Sequence, residues 1–341
     1  MKRLFHTAQN SAAFAALVAL IERIDPARPD QLAVLTYHRV DWPDARPTLS
    51  PAQLSATPAA FEQQMAHLAQ RCHVVSIDDV LANARDGRPL PPRAVLVTFD
   101  DGYLDFAEHA WPVLRELGLP VTLFVPTAYP DHPERGFWWD RLYNALRSST
   151  ASHEIATPIG PLPAGEGSVH RGTFKQLRNY VKSLPHDEAI AWVDQFCAAL
   201  GVEPAPNPVL GWDALRQLAG EGVTLGAHTR THPLVNRVTV DQARFEATAS
   251  RDDLAQAIGS APPIFAYPSG GFDQAVVDGL AQDGFELAFT TVRGLNDLRR
   301  ADPLRLRRIN VAQHASLALL RGQLLPSAVW LNRWQPLASA N

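Results

Sequence analysis

The chain has 341 residues, a formal net charge of −4 and the composition of an ordinary globular protein. This length allows a large core, built as one α/β barrel-type domain or as two smaller domains. The charge balance, without any basic run, argues against a nucleic-acid partner. The two distant cysteines, Cys72 and Cys197, indicate neither a disulfide framework nor a metal site. No run predicts a membrane span, and the oligomeric state stays open.

The first predicted element is an amphipathic helix over residues 11–24, within an N-terminal segment of residues 1–30. Two basic residues followed by an apolar stretch also resemble a secretion signal. Charged residues follow that stretch at once, however, and there is no clean cleavage site. We therefore favour the helix, in a cytoplasmic or membrane-peripheral protein, and keep secretion as the alternative.

Strands and helices then alternate along the chain. Continuous apolar runs predict strands buried on both faces, and apolar residues at helical spacing predict the helices between them. The predicted strands cover residues 33–37, 74–75, 95–99, 121–125, 223–227, 264–267, 287–290 and 305–311. The predicted helices cover residues 58–70, 78–85, 107–117, 212–220, 241–258 and 274–283. Seven or eight strands in this alternation predict a distorted β/α barrel over residues 31–312, followed by a C-terminal helix and tail over residues 313–341.

The alternation breaks between about residues 128 and 211, where helices are predicted for residues 137–146, 173–183 and 187–200. Connections between strands and helices in such folds are usually only a few residues long. The insertion is therefore expected to form a cap or lid, and the alternative is a subdomain that only packs. Near its start, Trp138, Trp139 and Asp140 suit a sugar ring, although paired aromatic residues at a helix start are more often core.

Two adjacent carboxylates, Asp100 and Asp101, follow the predicted strand of residues 95–99 and precede Gly102. The C-terminal edge of such strands is where α/β folds build their sites. Neighbouring carboxylates repel each other unless a cation, a proton or a donor intervenes. A metal ion could therefore hold one of them and leave the other to accept a proton. The alternative is an ordinary Asp-Asp-Gly turn.

His228 and His232 follow another predicted strand and are four residues apart. This spacing lets two imidazole nitrogens reach one ion at about 2 Å, although it is weak support by itself. Asp101 can supply a third ligand, which leaves positions for water, and Asp100 can then stay unligated as a base. A barrel would bring the two segments together at one rim.

These two motifs, residues 98–102 and 228–232, resemble those of the polysaccharide deacetylases, the NodB-homology or carbohydrate esterase family 4 enzymes. The resemblance extends from residue 37 to about residue 311. The Phe-Trp-Trp-Asp stretch and residues 265–270 resemble the branch associated with exopolysaccharide pathways.

The resemblance implies a distorted (β/α)7 barrel with a helical insertion. It also implies that Asp100 is the general base and that Asp101, His228 and His232 bind a divalent metal, usually zinc. The implied reaction is hydrolysis of an N-acetyl group, or sometimes an O-acetyl group, from a sugar polymer, with release of acetate.

The chain departs from the family pattern in its third motif, which usually contains an arginine that holds the base. The aligned residues here are Ala266-Tyr267-Pro268-Ser269-Gly270, without that arginine. The backbone N–H of Ser269 still suits an oxyanion donor, because this role does not depend on the side chain. Arg308, near the end of the last predicted strand, is our candidate partner for Asp100. The alternative is a surface or fold-stabilising arginine.

The usual C-terminal Leu-x-His, which supplies the general acid, is also missing. Residues 34–38 have the same form, a strand that ends in His38. In a closed barrel the place of a strand in the ring matters more than its order in the chain. We therefore predict His38 as the general acid, against the alternative of a structural histidine.

We expect the substrate to contact Tyr103, Trp139 and Ser269. Three other histidines are predicted to lie at the surface: His67, His109 and His314.

The sequence thus predicts a metal-dependent deacetylase that acts on an N-acetylated saccharide. One alternative is a related metal-dependent amidase that acts on a small amide. Another is a non-catalytic saccharide-binding protein on the same fold, which the missing arginine makes plausible. The intact Asp-Asp-His-His set argues against this second alternative, because a binding module needs no open metal site.

Overall fold

The structure is a computed structural model that describes residues 9–132, 135–149, 154–163, 168–201 and 208–328. Its strands are β1 (Gln31–Tyr37), β2 (Arg39–Val40), β3 (Leu54–Ala56), β4 (His73–Val74), β5 (Ala94–Phe99), β6 (Thr122–Val125), β7 (Glu154–Ile155), β8 (Leu162–Pro163), β9 (Thr224–Ala227), β10 (Ile264–Ala266), β11 (Leu287–Arg293), β12 (Asn296–Asp297) and β13 (Leu306–Asn310). Its α-helices are α1 (Ala12–Ile24), α2 (Pro58–Arg71), α3 (Ile77–Asp86), α4 (Trp111–Glu116), α5 (Trp138–Ser148), α6 (Ser168–Ser183), α7 (His186–Ala199), α8 (Trp212–Gly220), α9 (Val240–Ile258), α10 (Gln274–Gln282) and α11 (Leu317–Gln323).

Seven parallel strands close into a barrel, which confirms the predicted fold. The ring order is β1-β5-β6-β9-β10-β11-β13, and β1 closes it by pairing with both β5 and β13. The register places Tyr37 beside Phe99 on one side and Thr36 beside Asn310 on the other. The first strand of the chain therefore lies between the strand that precedes Asp100 and the strand that carries Arg308.

The strands of the barrel are buried because helices cover the outside and side chains fill the inside. Every residue of β5 and β6 is buried, which is why both read as unbroken apolar runs with threonines. The surrounding helices begin and end close to their predicted bounds. Thr239 accepts a hydrogen bond from the backbone of Gln242 at the start of α9, and Gly259 ends that helix in the left-handed conformation.

The N-terminal helix is also present. Ser11 caps α1 by accepting a hydrogen bond from the backbone N–H of Phe14. Val18 packs with Leu325, and Glu22 forms an ion pair with Arg321, so the two ends of the described chain meet. No described helix combines the length and the apolar character that a bilayer crossing requires.

Three local features differ from the prediction. The loop after β1 contains the short strands β2 and β3, which pair in parallel, and β12 pairs antiparallel with β1. The helix expected from Ala107 begins instead as a π-helix at Phe106–Ala110 and continues as α4. Pro112 explains this change, since it has no N–H to donate and its ring clashes with the carbonyl four residues earlier.

The insertion forms a small helical unit with its own core. Helices α5, α6 and α7 pack around apolar side chains that include Leu142, Leu177 and Val193. Its returning segment is joined to the loop after β5, because the N–H of Leu104 donates to the carbonyl of Pro208 at 2.7 Å. The insertion is therefore tied directly to the loop that carries the acid pair.

Candidate metal centre and active site

Asp101, His228 and His232 converge at the C-terminal rim of the barrel. The Asp101 Oδ1 atom lies 3.6 Å from His228 Nε2 and 3.3 Å from His232 Nε2. One ligand atom from each residue lies within 4.8 Å of the other two, and all three side chains are buried. Two segments that are more than 120 residues apart in the chain therefore meet in the arrangement expected of a metal site.

The orientation of the rings leaves the converging nitrogens free to bind a cation. His228 Nδ1 lies 2.8 Å from the carbonyl oxygen of Ala266, so Nδ1–H donates to that oxygen and Nε2 is left as a ligand. His232 Nδ1 has no partner among the described residues. One carboxylate oxygen and two imidazole nitrogens form a donor set that zinc prefers.

Electrostatics at the site favour an ionised carboxylate between the imidazoles. Burial alone would raise the pKa of Asp101, but its hydrogen bonds to His228 and His232 hold that pKa well below its usual range. Burial lowers the pKa of each imidazole, and Asp101 opposes this. The pKa of His228 is raised overall, and that of His232 is lowered.

The histidine loop is held by contacts from α9. The buried carboxylate of Glu246 accepts the backbone N–H groups of Arg230 at 2.7 Å and Thr231 at 2.9 Å. Thr229 and His232 have positive φ values of 66° and 61°, which are strained for residues with side chains. By accepting hydrogen bonds from these loop amides, Glu246 stabilises the strained backbone conformation.

Arg308 forms a buried, bidentate ion pair with Asp100. Its Nη1 and Nη2 atoms donate to Asp100 Oδ1 and Oδ2, each at 2.8 Å, and its Nε donates to the carbonyl of Thr290 at 2.8 Å. Arg308 is 1% exposed, so the alternative of a surface arginine is wrong. Burial alone would raise the pKa of Asp100, but the charge of Arg308 lowers it overall, so Asp100 is a carboxylate at neutral pH.

His38 follows β1 and is therefore level with Asp100, which follows the paired strand β5. Its backbone N–H donates to Ser55 Oγ at 2.9 Å, and its side chain lines the same cavity as the acid pair. A protonated imidazole at this position lowers the pKa of both Asp100 and Asp101. The register of the closed barrel thus places His38 beside the carboxylates.

A cavity of about 360 Å³ opens above these residues. Trp138, Trp139 and Ser269 line it, so the paired tryptophans form both core and cavity wall. The centre of the Trp139 ring lies 4.9 Å from the centre of the His232 ring. Ser269 has a positive φ of 52° and its Oγ accepts a hydrogen bond from Lys182 Nζ at 3.0 Å.

Tyr103 lies behind the cavity wall, which corrects its expected contact with the substrate. It is 1% exposed, its hydroxyl donates to Asp140 Oδ2 at 2.8 Å, and it accepts from the indole N–H of Trp139 at 2.9 Å. Its place shortly after the acid pair suggests a substrate contact, but the left-handed turn at Asp101 and Gly102 directs the chain inward. Tyr103 therefore positions Trp139.

Replacing Tyr103 with phenylalanine is expected to destabilise the fold by about 1–3 kcal/mol, because Asp140 and the Trp139 indole N–H each lose a buried partner. Urea unfolding would measure this difference. Tyr143→Phe is the matched control, since Tyr143 is only partly buried. Equal losses in both variants would contradict the assigned role.

Sequence reasoning missed several residues of the cavity wall, among them Arg178, Lys182 and Asn310. Arg178 and Lys182 belong to α6 and lie one turn apart on the face that also carries Leu177 and Val181. Cationic residues within an apolar stripe were the signal that could have identified them. His314, expected at the surface, is exposed and lies at the rim of the same cavity.

Comparison with known proteins places these residues in context. A family model described as "Polysaccharide deacetylase" matches residues 87–288. The chain is also 23% identical over 277 residues to the poly-beta-1,6-N-acetyl-D-glucosamine N-deacetylase of Escherichia coli K12, an alignment that covers 80% of this chain. The chain spans only 36% of the length of that relative.

Two solved structures share the fold. Streptococcus pyogenes deacetylase PplD in complex with acetate superposes with a TM-score of 0.59 at 19% identity, over 88% of this chain and 100% of that one. IcaB from Ammonifex degensii superposes with a TM-score of 0.55 at 20% identity, over 89% of this chain and 97% of that one.

Proposed function

Because the chain belongs to the polysaccharide deacetylase family, we propose that it is a metal-dependent hydrolase that removes acetyl groups from an N-acetylated saccharide or polysaccharide. One observation carries the proposal: the donor set of Asp101, His228 and His232 shares a cavity with Asp100, which Arg308 holds as a carboxylate. The name of the Escherichia coli relative supports a saccharide that contains N-acetylglucosamine as the substrate class.

The residues fit a division of roles in amide hydrolysis. A divalent cation bound by Asp101, His228 and His232 would supply Lewis-acid polarisation of the acetyl carbonyl and would acidify water. Asp100 accepts the proton of the attacking water, because each carboxylate oxygen keeps a lone pair that Arg308 does not use. The backbone N–H of Ser269 donates to the developing oxyanion.

His38 completes this scheme as the acid that protonates the leaving amine. His38→Ala is expected to reduce kcat by about 10²- to 10³-fold, within the usual range for general acid catalysis, with the metal content unchanged. His73→Ala is the control, since His73 is exposed and lies beside the start of β5. Unchanged turnover with metal still bound would refute the role of His38.

The function itself is tested by metal analysis combined with an acetate-release screen. The substrates are chitooligomers, poly-N-acetylglucosamine and lipid-linked N-acetylated sugars, each with and without a chelator. Acetate release that depends on metal is the expected result. Release of ammonia from a small amide would favour the amidase alternative, and glycan binding without turnover in the presence of zinc would favour a binding protein.

A further inference from the structure

We propose that helix α6 supplies a cationic subsite beside the metal centre, formed by Arg178 and Lys182, which binds an anionic substituent of the saccharide. This inference rests on the proposed function and narrows its substrate class. The substrate would be an acidic N-acetylated saccharide, with a carboxylate or a phosphate close to the acetylated sugar.

Arg178 is a buried cation that has no counter-charge among the residues that the structure describes. It is 8% exposed and lines the cavity, and its Nε has no hydrogen-bond partner among the described residues. Within the described part of the chain it forms no ion pair, and its guanidinium lies 6.0 Å from the centre of the Phe174 ring. A buried charge is costly unless it is paired, so an anion is expected to complete this site.

The other buried arginines of the described chain form ion pairs with carboxylates of the same chain. Arg39 pairs with Asp105 at 2.7 Å and with Asp41 at 2.9 Å. Arg308 pairs with Asp100 through two bonds. Arg178 differs from both in facing a cavity that a ligand can enter, and this points to a partner from outside the chain.

Lys182 adds a second basic side chain one turn further along α6. Its Nζ donates to Ser269 Oγ at 3.0 Å and has two more protons to donate. Burial, with a smaller contribution from Arg178, lowers the pKa of Lys182 to about 7, while Asp101 acts in the opposite direction. An anion between the two side chains would relieve both their mutual repulsion and their desolvation.

The carboxylates of the cavity cannot serve as that anion. Asp100 is already neutralised by Arg308, and Asp101 lies between two imidazoles. The planar fork of an arginine matches a carboxylate or a phosphate. Asn310 Oδ1, buried in the same cavity without a partner among the described residues, can accept a sugar hydroxyl. These groups together suit a charged sugar better than a neutral one.

Calorimetric titration of the chelator-treated full chain tests the subsite without a metal to attract the anion. The probes are methyl N-acetyl-β-glucosaminide, methyl β-glucuronide and N-acetylglucosamine 6-phosphate, which are neutral, carboxylate-bearing and phosphate-bearing. At least one anionic probe should bind about tenfold more tightly than the neutral one. The tighter of the two anionic probes identifies the group.

Arg178→Gln should remove this preference, and Lys182→Gln should weaken it. Lys175→Gln is the matched control, because Lys175 lies on the exposed side of the same helix. Arg178→Lys, which keeps the charge, should retain part of the preference and shows that the effect is not a loss of folding.

Equal affinity for neutral and anionic probes, or an unchanged preference in Arg178→Gln, would overturn the inference. Since the measurement involves no turnover, that result would leave the deacetylase proposal intact. Anion binding that depends on Arg178 in a protein that releases no acetate from any substrate would instead support the subsite and refute the proposed function.

Discussion

Asp100→Asn is expected to reduce acetate release by about 10³- to 10⁴-fold, the upper part of the range for general base catalysis. The amide has the shape of the carboxylate but cannot accept a proton from water. The change leaves the proposed ligands Asp101, His228 and His232 in place, so the metal content should not change. Steady-state kinetics and elemental analysis of the same preparation measure both quantities.

Asp213→Asn is the control for this variant, because Asp213 is almost fully exposed and remote from the cavity. Loss of metal from Asp100→Asn would show that the roles of Asp100 and Asp101 are reversed. Retention of most of the activity would remove Asp100 from the chemistry altogether.

Arg308→Ala is expected to have the second large effect, on both activity and stability. The change leaves the Asp100 carboxylate buried without its partner, which raises the pKa of Asp100 and disorders the base. Removing one partner of a buried ion pair typically lowers the free energy of unfolding by about 3–5 kcal/mol. We expect activity to fall by about 10²-fold or more as the base loses its charge and position.

Chemical unfolding and kinetics on the same variants separate these contributions. Arg308→Lys should recover part of the stability but less of the activity, because a lysine keeps the charge and cannot form both bonds. Arg307→Ala, at the exposed neighbouring position of β13, is the control. Wild-type kinetics in Arg308→Ala would disprove the link between this arginine and the base.

The convergence of Asp101, His228 and His232 could be predicted from the sequence, because two local signals that are each weak alone support each other in a parallel barrel. Asp100 and Asp101 directly follow a buried strand, and His228 and His232 follow another at ligand spacing. In a parallel barrel all such strand ends meet at one rim, so fold and site support each other. Arg308 was identified in the same way, from its place near the end of the last strand.

The roles of the insertion and of Tyr103 could not be predicted in this way. Which face of α6 meets the cavity depends on how the helical unit packs, so the place of Arg178 and Lys182 in an apolar stripe does not by itself show that they line the cavity. Tyr103 lies only two residues after Asp101, yet the positive φ of 74° at Asp101 turns the chain and buries the ring. Tertiary packing decides the first outcome and local backbone geometry decides the second, and sequence spacing reveals neither.

The most direct test of the metal centre is an anomalous-scattering map from crystals grown with zinc. We predict one peak per chain, at about 2 Å from the Asp101 carboxylate and from Nε2 of both His228 and His232, with Asp100 bound to Arg308 and not to the ion. A peak bound by Asp100 in place of Asp101, or zinc bound at other residues with this rim empty, would contradict the account.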